Sequence, residues 1–257
     1  MQKLSPAFSQ GNVALVFAAN DSYVPYTATM ILSIMKHASQ ERGYDFVVLH
    51  RDITEDSRAL LDQMLEPYAN ASLRLANVSE YTQGLDFYTE NREDFSEEAY
   101  YRLLIPEIMQ EYEKVLYFDG DMVALTDVAE LYDTDLGDNL LASSRDLCGL
   151  MSYYNPLEDR RKYRDCELKL EKPDDYFISG MLLVNVPAFR AAYSWQELLE
   201  LAVSREWLQH DQDILNVICQ GRTLIVDAAW DVIKPELHQK MPAQYREELD
   251  ASIEHPK

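Results

Sequence analysis

Lys114-Val-Leu-Tyr-Phe-Asp-Gly-Asp121 sets four apolar residues directly before two carboxylates that flank a glycine. The apolar run suits a strand buried on both faces, and the acidic triplet closes it. Residues i and i+2 at a strand end project to the same side, so Asp119 and Asp121 converge on one point while Gly120 lets the backbone turn. Two hard oxygen donors suit a divalent cation such as Mn2+ or Mg2+. A cation there inverts the local charge, so a diphosphate binds where a bare acidic pair would repel it. Short acidic pairs also occur as plain turn and cap residues, so this one takes its meaning from its surroundings.

The surroundings repeat the pattern. Val13-Ala-Leu-Val-Phe-Ala-Ala19 is a second continuous apolar run, and it ends at Asn20-Asp21. Met30, Ile31, Ile34 and Met35 then fall at helical spacing and predict a helix over Ala28 to His37. Further strands are predicted at 45–50, 72–76, 140–143, 181–184 and 223–226. Helices are predicted at 54–65 with Thr54 as N-cap, at 96–105 with Ser96 as N-cap, at 195–205 and at 211–219. Strands alternating with helices imply an α/β fold with a mostly parallel central sheet. Ligands of such sheets bind beyond the carboxyl ends of the strands, where Asn20-Asp21 and Asp119-Gly120-Asp121 both fall. Residues 145–175 are polar and poorly periodic, and are expected to form a long surface excursion over that edge. The basic cluster Arg160, Arg161, Lys162 and Arg164, bracketed by Asp159 and Asp165, is read as a solvated loop within it.

Composition removes several classes of function. The 257 residues are 47% apolar and carry a net charge of −22, enough hydrophobic material for one substantial core and strongly unfavourable for nucleic acid or an anionic membrane. At most a peripheral membrane association is expected. The eight glycines are too widely spaced for G-x-G-x-x-G or a Walker A loop, and neither H-E-x-x-H nor G-x-S-x-G is present. Cys148, Cys166 and Cys219 form no C-x-x-C pair and fit a reduced, cytoplasmic protein. No apolar run is long enough to span a bilayer.

Five stretches in order, V-F-A-A-N-D-S-Y at 16–23, S-E-E-A-Y-Y-R-L at 96–103, K-V-L-Y-F-D-G-D-M-V at 114–123, Y-F-I-S-G-M-L-L-V-N at 176–185 and H-D-Q-D-I-L-N at 210–216, together resemble glycosyltransferase family 8. That family contains bacterial lipopolysaccharide galactosyl- and glucosyltransferases and is similar to glycogenin. The resemblance implies a single domain of GT-A type over residues 1–257 and a retaining, metal-dependent transfer of glucose or galactose from a UDP-sugar. The acceptor would be a glycan, a lipid-linked glycan or a protein. It further implies that Ala18, Ala19, Asn20, Asp21 and Tyr23 hold uracil and ribose, with the tyrosine stacked on the base. Asp119 and Asp121 match the metal pair, with Gly120 between them, and Arg102 matches an arginine that reaches the donor's phosphates or sugar. Asp146 matches an acidic position near the transferred sugar, Ser179 and Gly180 a close backbone approach to it, Asp211 a contact to its hydroxyls, and Gln212 a position beneath the anomeric carbon.

Two departures stand out. Ile178 replaces the family's usual asparagine in the run Phe177-Ile-Ser-Gly180, which removes an amide that would touch the donor sugar. The family's third metal ligand, the histidine of H-x-x-G-x-x-K-P-W, is absent, and Ser252-Ile-Glu-His-Pro-Lys257 resembles the segment that usually runs into it. The expectation is a chain that ends just short of that histidine, with His255 not a ligand. Two other classes are weighed against the transferase. A haloacid-dehalogenase-type phosphohydrolase would use Tyr117-Phe-Asp-Gly-Asp121, but Met122 and Val123 lack the hydroxyl that follows its acidic pair. A non-catalytic nucleotide-sugar or glycan-binding module is the other.

Overall fold

The two apolar runs that end in acidic turns lie side by side. The computed structural model describes residues 3–89, 96–157, 159–232 and 241–257. Its seven-stranded sheet comprises β1 (Asn12–Ala18), β2 (Gly43–His50), β3 (Ala71–Asn77), β4 (Lys114–Phe118), β5 (Leu141–Ser144), β6 (Met181–Asn185) and β7 (Thr223–Val226), ordered β3-β2-β1-β4-β6-β5-β7. β1 pairs in parallel with β2 on one side and with β4 on the other, where Val16 registers with Tyr117. Strand order reverses at β1/β4, and this reversal opens a crevice at the carboxyl ends, which both acidic turns enter.

β6 runs antiparallel to both of its neighbours. Met181 pairs with Phe118, so Ser179 and Gly180, just before β6, fall beside Asp119. β5 and β7 pair in parallel, and the segments after them, with Asp146 and Asp231, reach the same edge of the sheet.

Side chains along β1 alternate between two cores. Val13, Leu15 and Phe17 pack with Met30, Ile31 and Ile34 of the helix Val24–His37, while Ala14, Val16 and Ala18 share a cluster with Tyr100, Leu103 and Ile108. Fully burying such an aliphatic side chain contributes about 1.5–3 kcal/mol. A strand with both faces covered shows no period of two in its sequence, which explains the unbroken apolar run.

Three local expectations change. The first helix starts at Val24 rather than Ala28, because Asn20 Oδ1 caps the 3₁₀ turn Asp21–Tyr23 by accepting from Tyr23 N–H at 3.0 Å and Pro25 suits the first turn. The segment after Ser96 is a 3₁₀ helix, Glu97–Leu104, with no side-chain cap from Ser96; its last five residues are all buried, so it has no solvent-facing stripe to set an α-helical period. Residues 145–175 are not a solvated excursion. They form the helix Leu147–Tyr154, a short helix Arg160–Lys162, a π-helical turn Tyr163–Glu167 and a 3₁₀ turn Pro173–Asp175, and they bury Leu147, Leu150, Tyr163, Arg164 and Leu168. Among the described residues no helix is long and apolar enough to cross a membrane.

Candidate active site

A cleft of about 550 Å3 lies at the carboxyl edge of the sheet. Asp119 N–H donates to the Gly180 carbonyl at 2.8 Å. Asp119 Oδ1 accepts from Arg102 Nη2 and from the Tyr117 hydroxyl, both at 2.9 Å, which leaves Oδ2 for another partner. A Cβ at Gly180 would stand 2.8 Å from that Oδ2, so the glycine keeps the oxygen clear. Asp121 Oδ2 accepts from the Tyr23 hydroxyl at 2.8 Å, leaving Oδ1. Protein donors thus orient each carboxylate and spare one oxygen of each, the arrangement that suits a hard divalent cation sharing its shell with ligand oxygens and water. Among the described residues no group of three or more His, Cys, Asp or Glu side chains forms a fuller cage. Gly120 lies in the turn after β4 and lines the cleft; its φ is not positive, and a Cβ there would lie 2.5 Å from Thr27 Oγ1, so the position also packs closely on the helix Val24–His37.

Arg102 lies under this pair and is almost wholly buried. It donates from Nε to Ala99 O at 2.9 Å, from Nη1 to Ser179 O and from Nη2 to Asp119, and its guanidinium lies 4.3 Å from the Tyr117 ring centroid. Burial disfavours its charge, but Asp119 and Asp211 outweigh burial and hold its pKa above the usual arginine value. Asp211 Oδ2 is 3.1 Å from Arg102 Nε yet accepts no hydrogen bond, an orphaned buried oxygen at the cleft.

Gln212 follows on the first turn of the helix His210–Ile218. Its Oε1 accepts from Ser179 N–H at 3.0 Å and its Nε2 donates to Asp146 Oδ2 at 3.0 Å, so both ends of the amide are fixed. Asp146 is also the N-cap of Leu147–Tyr154, accepting from Gly149 N–H at 2.7 Å. The helix carrying Gln212 is anchored by Asp213, which accepts from the Tyr163 and Tyr176 hydroxyls at 2.7 and 2.6 Å, and by Asn216, which bonds both N–H and C=O of Phe177.

At the other end, Ala18, Ala19, Asn20 and Tyr23 line the cleft, as do Ser179, Gly180 and Ile178. Asp21 does not. Its Oδ1 accepts from Thr54 N–H and Oγ1 at 2.8 and 2.9 Å, tying the β1 turn to the helix Glu55–Leu65. Sequence reasoning missed Arg164 and Arg160, which line the cleft from the segment read as a solvated loop. Asp231, directly after Trp230 and downstream of the last strand, does not line the cleft but lies close enough to Asp146 and Asp119 for their charges to act on it, and its sequence setting resembles that of any loop residue.

Two carboxyls here are pushed upward. Burial raises Asp211 to about 6 against the opposing pull of Arg102, and burial with repulsion from Asp146 and Asp119 raises Asp231 to about 7. A folded-state pKa above the unfolded value of 3.8 gives a contribution fully present below pH 3.8 that is lost as pH rises through 6–7. Asp231→Asn is therefore expected to match the wild type in thermal stability near pH 4 and to exceed it near pH 8 in ligand-free protein. A variant less stable than wild type at pH 8 would show that the carboxylate is held by favourable contacts instead.

The sheet order and the switch-point crevice define an α/β domain whose cleft, with its spared carboxylate oxygens, lies at the carboxyl edge of the strands. The model for Glycosyl transferase family 8 matches residues 14–254, and the chain belongs to that family. It is 29% identical over 231 residues to glycosyltransferase GlyA of Streptococcus pneumoniae serotype 4, covering 88% of this chain and 29% of that protein. It is 24% identical over 167 residues to lipopolysaccharide 1,2-glucosyltransferase of Escherichia coli K12, covering 62% and 46%. Among solved structures, the WbbM bifunctional glycosyltransferase superposes with a TM-score of 0.87 at 26% identity, over 99% of this chain and 46% of that one. The galactosyltransferase LgtC, in complex with donor and acceptor sugar analogues, gives 0.72 at 25% identity over 95% and 84%. The fold is the GT-A glycosyltransferase fold, and family membership supports a glycosyl-transfer function. The chain spans between 29% and 61% of the length of the first three curated relatives it matches.

Proposed function

We propose that residues 1–257 act as one retaining, metal-dependent hexosyltransferase domain that moves glucose or galactose from a UDP-sugar to a saccharide-bearing acceptor, a glycan, lipid-linked glycan or protein. The observation that carries this reading is the convergence in one cleft of the spared Asp119 and Asp121 oxygens, the small-residue edge Ala18-Ala19-Asn20, and the orphaned Asp211 Oδ2. Asp119 and Asp121 would hold Mn2+ or Mg2+, which supplies charge neutralisation for the diphosphate. The alanines leave room for a planar base beside Tyr23, Asn20 offers polar contacts to base and ribose, and Asp21 supports that edge through Thr54.

Asp211 Oδ2 accepts from a hydroxyl of the transferred sugar, which supplies the hydrogen bond this buried oxygen lacks. Ser179 and Asp146 hold the Gln212 amide still beneath the anomeric carbon, a poor nucleophile but a preorganised dipole for an oxocarbenium-like transition state. The C1–O bond to the diphosphate breaks, the acceptor hydroxyl oxygen bonds C1 on the same face, and the hydroxyl proton passes to the departing phosphate oxygen. Arg102 serves by fixing Asp119 and Ser179, since three of its N–H groups are already committed inside the protein.

A thermal-shift screen of UDP, GDP, UDP-glucose and UDP-galactose with and without Mn2+ tests the reading. A ligand at 100 times its Kd stabilises the native state by about 2.7 kcal/mol. UDP compounds are expected to shift the melting temperature only with metal, and GDP to shift it less. Equal shifts for GDP and UDP, or shifts independent of metal, count against it.

A further inference from the structure

Arg164 is 4% exposed, and its guanidinium lies 3.7 Å from the Tyr176 ring centroid. Nη2 is 3.5 Å from Asp146 Oδ2, an oxygen already taken by Gln212 Nε2, and Nη1 has no hydrogen-bond partner. A guanidinium does not shed its proton, so a buried N–H left unused keeps its demand for an acceptor. Gly149 makes room for the group: a Cβ there would stand 2.2 Å from Nη2. Arg160 lines the same cleft, and its guanidinium faces the neutral amide of Gln209, whose oxygen accepts from Nη1 and Nη2 at 3.1 and 3.0 Å once the amide is turned to suit them. No carboxylate among the described residues pairs with Arg160.

Contacts run in order from Asp119 through Arg102, Ser179, Gln212 and Asp146 to Arg164. Arg164 closes this series beside Asp146, and Arg160 lines the same cleft. An anion on the transferred sugar would be repelled by Asp146 and Asp211, the carboxylates assigned to that sugar, so an oxyanion drawn to the arginines is assigned to the other saccharide. In a chain of net charge −22, two guanidinium groups without full neutralisation on one cleft wall are not explained by general surface balance.

We infer that Arg160 and Arg164 form an oxyanion subsite that recognises a carboxylate or phosphate carried by the acceptor saccharide. This rests on the proposed function, which assigns Asp146, Asp211 and Gln212 to the transferred sugar. Binding of methyl glucoside, its 6-phosphate and methyl glucuronide is measured calorimetrically, in protein loaded with UDP and Mg2+ and in nucleotide-free protein. Charge-assisted bonds to an arginine pair predict that one or both charged glycosides bind about tenfold or more tighter than the neutral one. The tighter of the two identifies the oxyanion. The preference should fall to about twofold or less in Arg164→Gln and in Arg160→Gln and persist in part in Arg164→Lys, which keeps the charge but loses the fork. Arg160 is partly exposed, so its variant decides the matter if Arg164→Gln fails to fold.

Equal binding of neutral and charged glycosides by the wild type, or a preference unchanged in Arg160→Gln, overturns the inference. Faster turnover of a UDP-hexuronate than of a UDP-hexose with a neutral acceptor overturns it as well, by placing the anion on the donor. If UDP fails to bind while the preference persists in nucleotide-free protein, the subsite stands and the donor reading falls.

Discussion

Asp121→Asn is expected to lower metal-dependent UDP affinity by on the order of 100-fold while leaving the fold intact, because substitutions that merely support metal ligands already cost about 10–100-fold. Asp121 is exposed and its protein contact is the Tyr23 hydroxyl, so its substitution should change stability by about 0.5 kcal/mol or less. Asp119→Asn should lose affinity to the same extent and stability to a greater one, since its carboxylate also balances buried Arg102. Tyr23→Phe leaves both carboxylates in place and removes only the bond that orients Asp121, for an expected loss of about tenfold. Titration of UDP in Mn2+, with thermal melts alongside, gives all three values. Unchanged affinity in both asparagine variants removes the metal-bridge assignment, and equal melting temperatures for them contradict the account of Asp119.

Arg102→Met should be the most destabilising single change at the site. It leaves Asp211 buried without its counter-charge and strands the Ser179 carbonyl, and removing one partner of a buried pair costs roughly 3–5 kcal/mol. For a chain of this size that is about 10 °C in Tm. Arg102→Lys should not rescue it, because one ammonium cannot reach Ala99 O, Ser179 O and Asp119 together. Adding Asp211→Asn to Arg102→Met should recover part of the loss, since the second change removes the stranded charge. Additive melts in the double variant would mean that Arg102 and Asp211 are not coupled as their 3.1 Å separation implies.

All seven strands were legible as apolar runs, those of β1, β2 and β4 unbroken because both of their faces are covered. β4 and β7 fall at the bounds their apolar runs predict, and the others shift by a residue or two. Helices with a solvent face and a cap were legible too, as with Thr54, which accepts from Ser57 N–H at 3.2 Å. The wall formed by residues 145–175 was not, because its buried positions are filled by tyrosine and arginine, whose polar ends find partners the sequence does not reveal: Tyr163 with Asp213, Arg164 with Tyr176, and Arg145 with Asp175 and Glu248. The helix Arg246–Glu254 was passed over for a related reason, since its inward face is little more than Leu249 and Ser252.

At the site, the acidic pair and the Asn20 edge could be found from position alone, while roles could not. Gly120, read as a turn residue, lies in that turn and also packs against Thr27, whereas Asp21, read as a nucleotide contact, holds Thr54 and does not line the cleft. Asp146, Gln212 and Ser179 are 66 and 33 residues apart along the chain in their two bonded pairs, and nothing local announces that they form one network.

Proton NMR of UDP-glucose and UDP-galactose incubated with the protein and Mg2+ tests the central claim most directly, because it reads donor use, metal dependence and stereochemistry in one trace. The account predicts that one of the two is consumed, that sugar is released first as the α-anomer before mutarotation, and that consumption stops on chelation of the metal. Release of the β-anomer first, or consumption that continues unchanged in chelator, would contradict it.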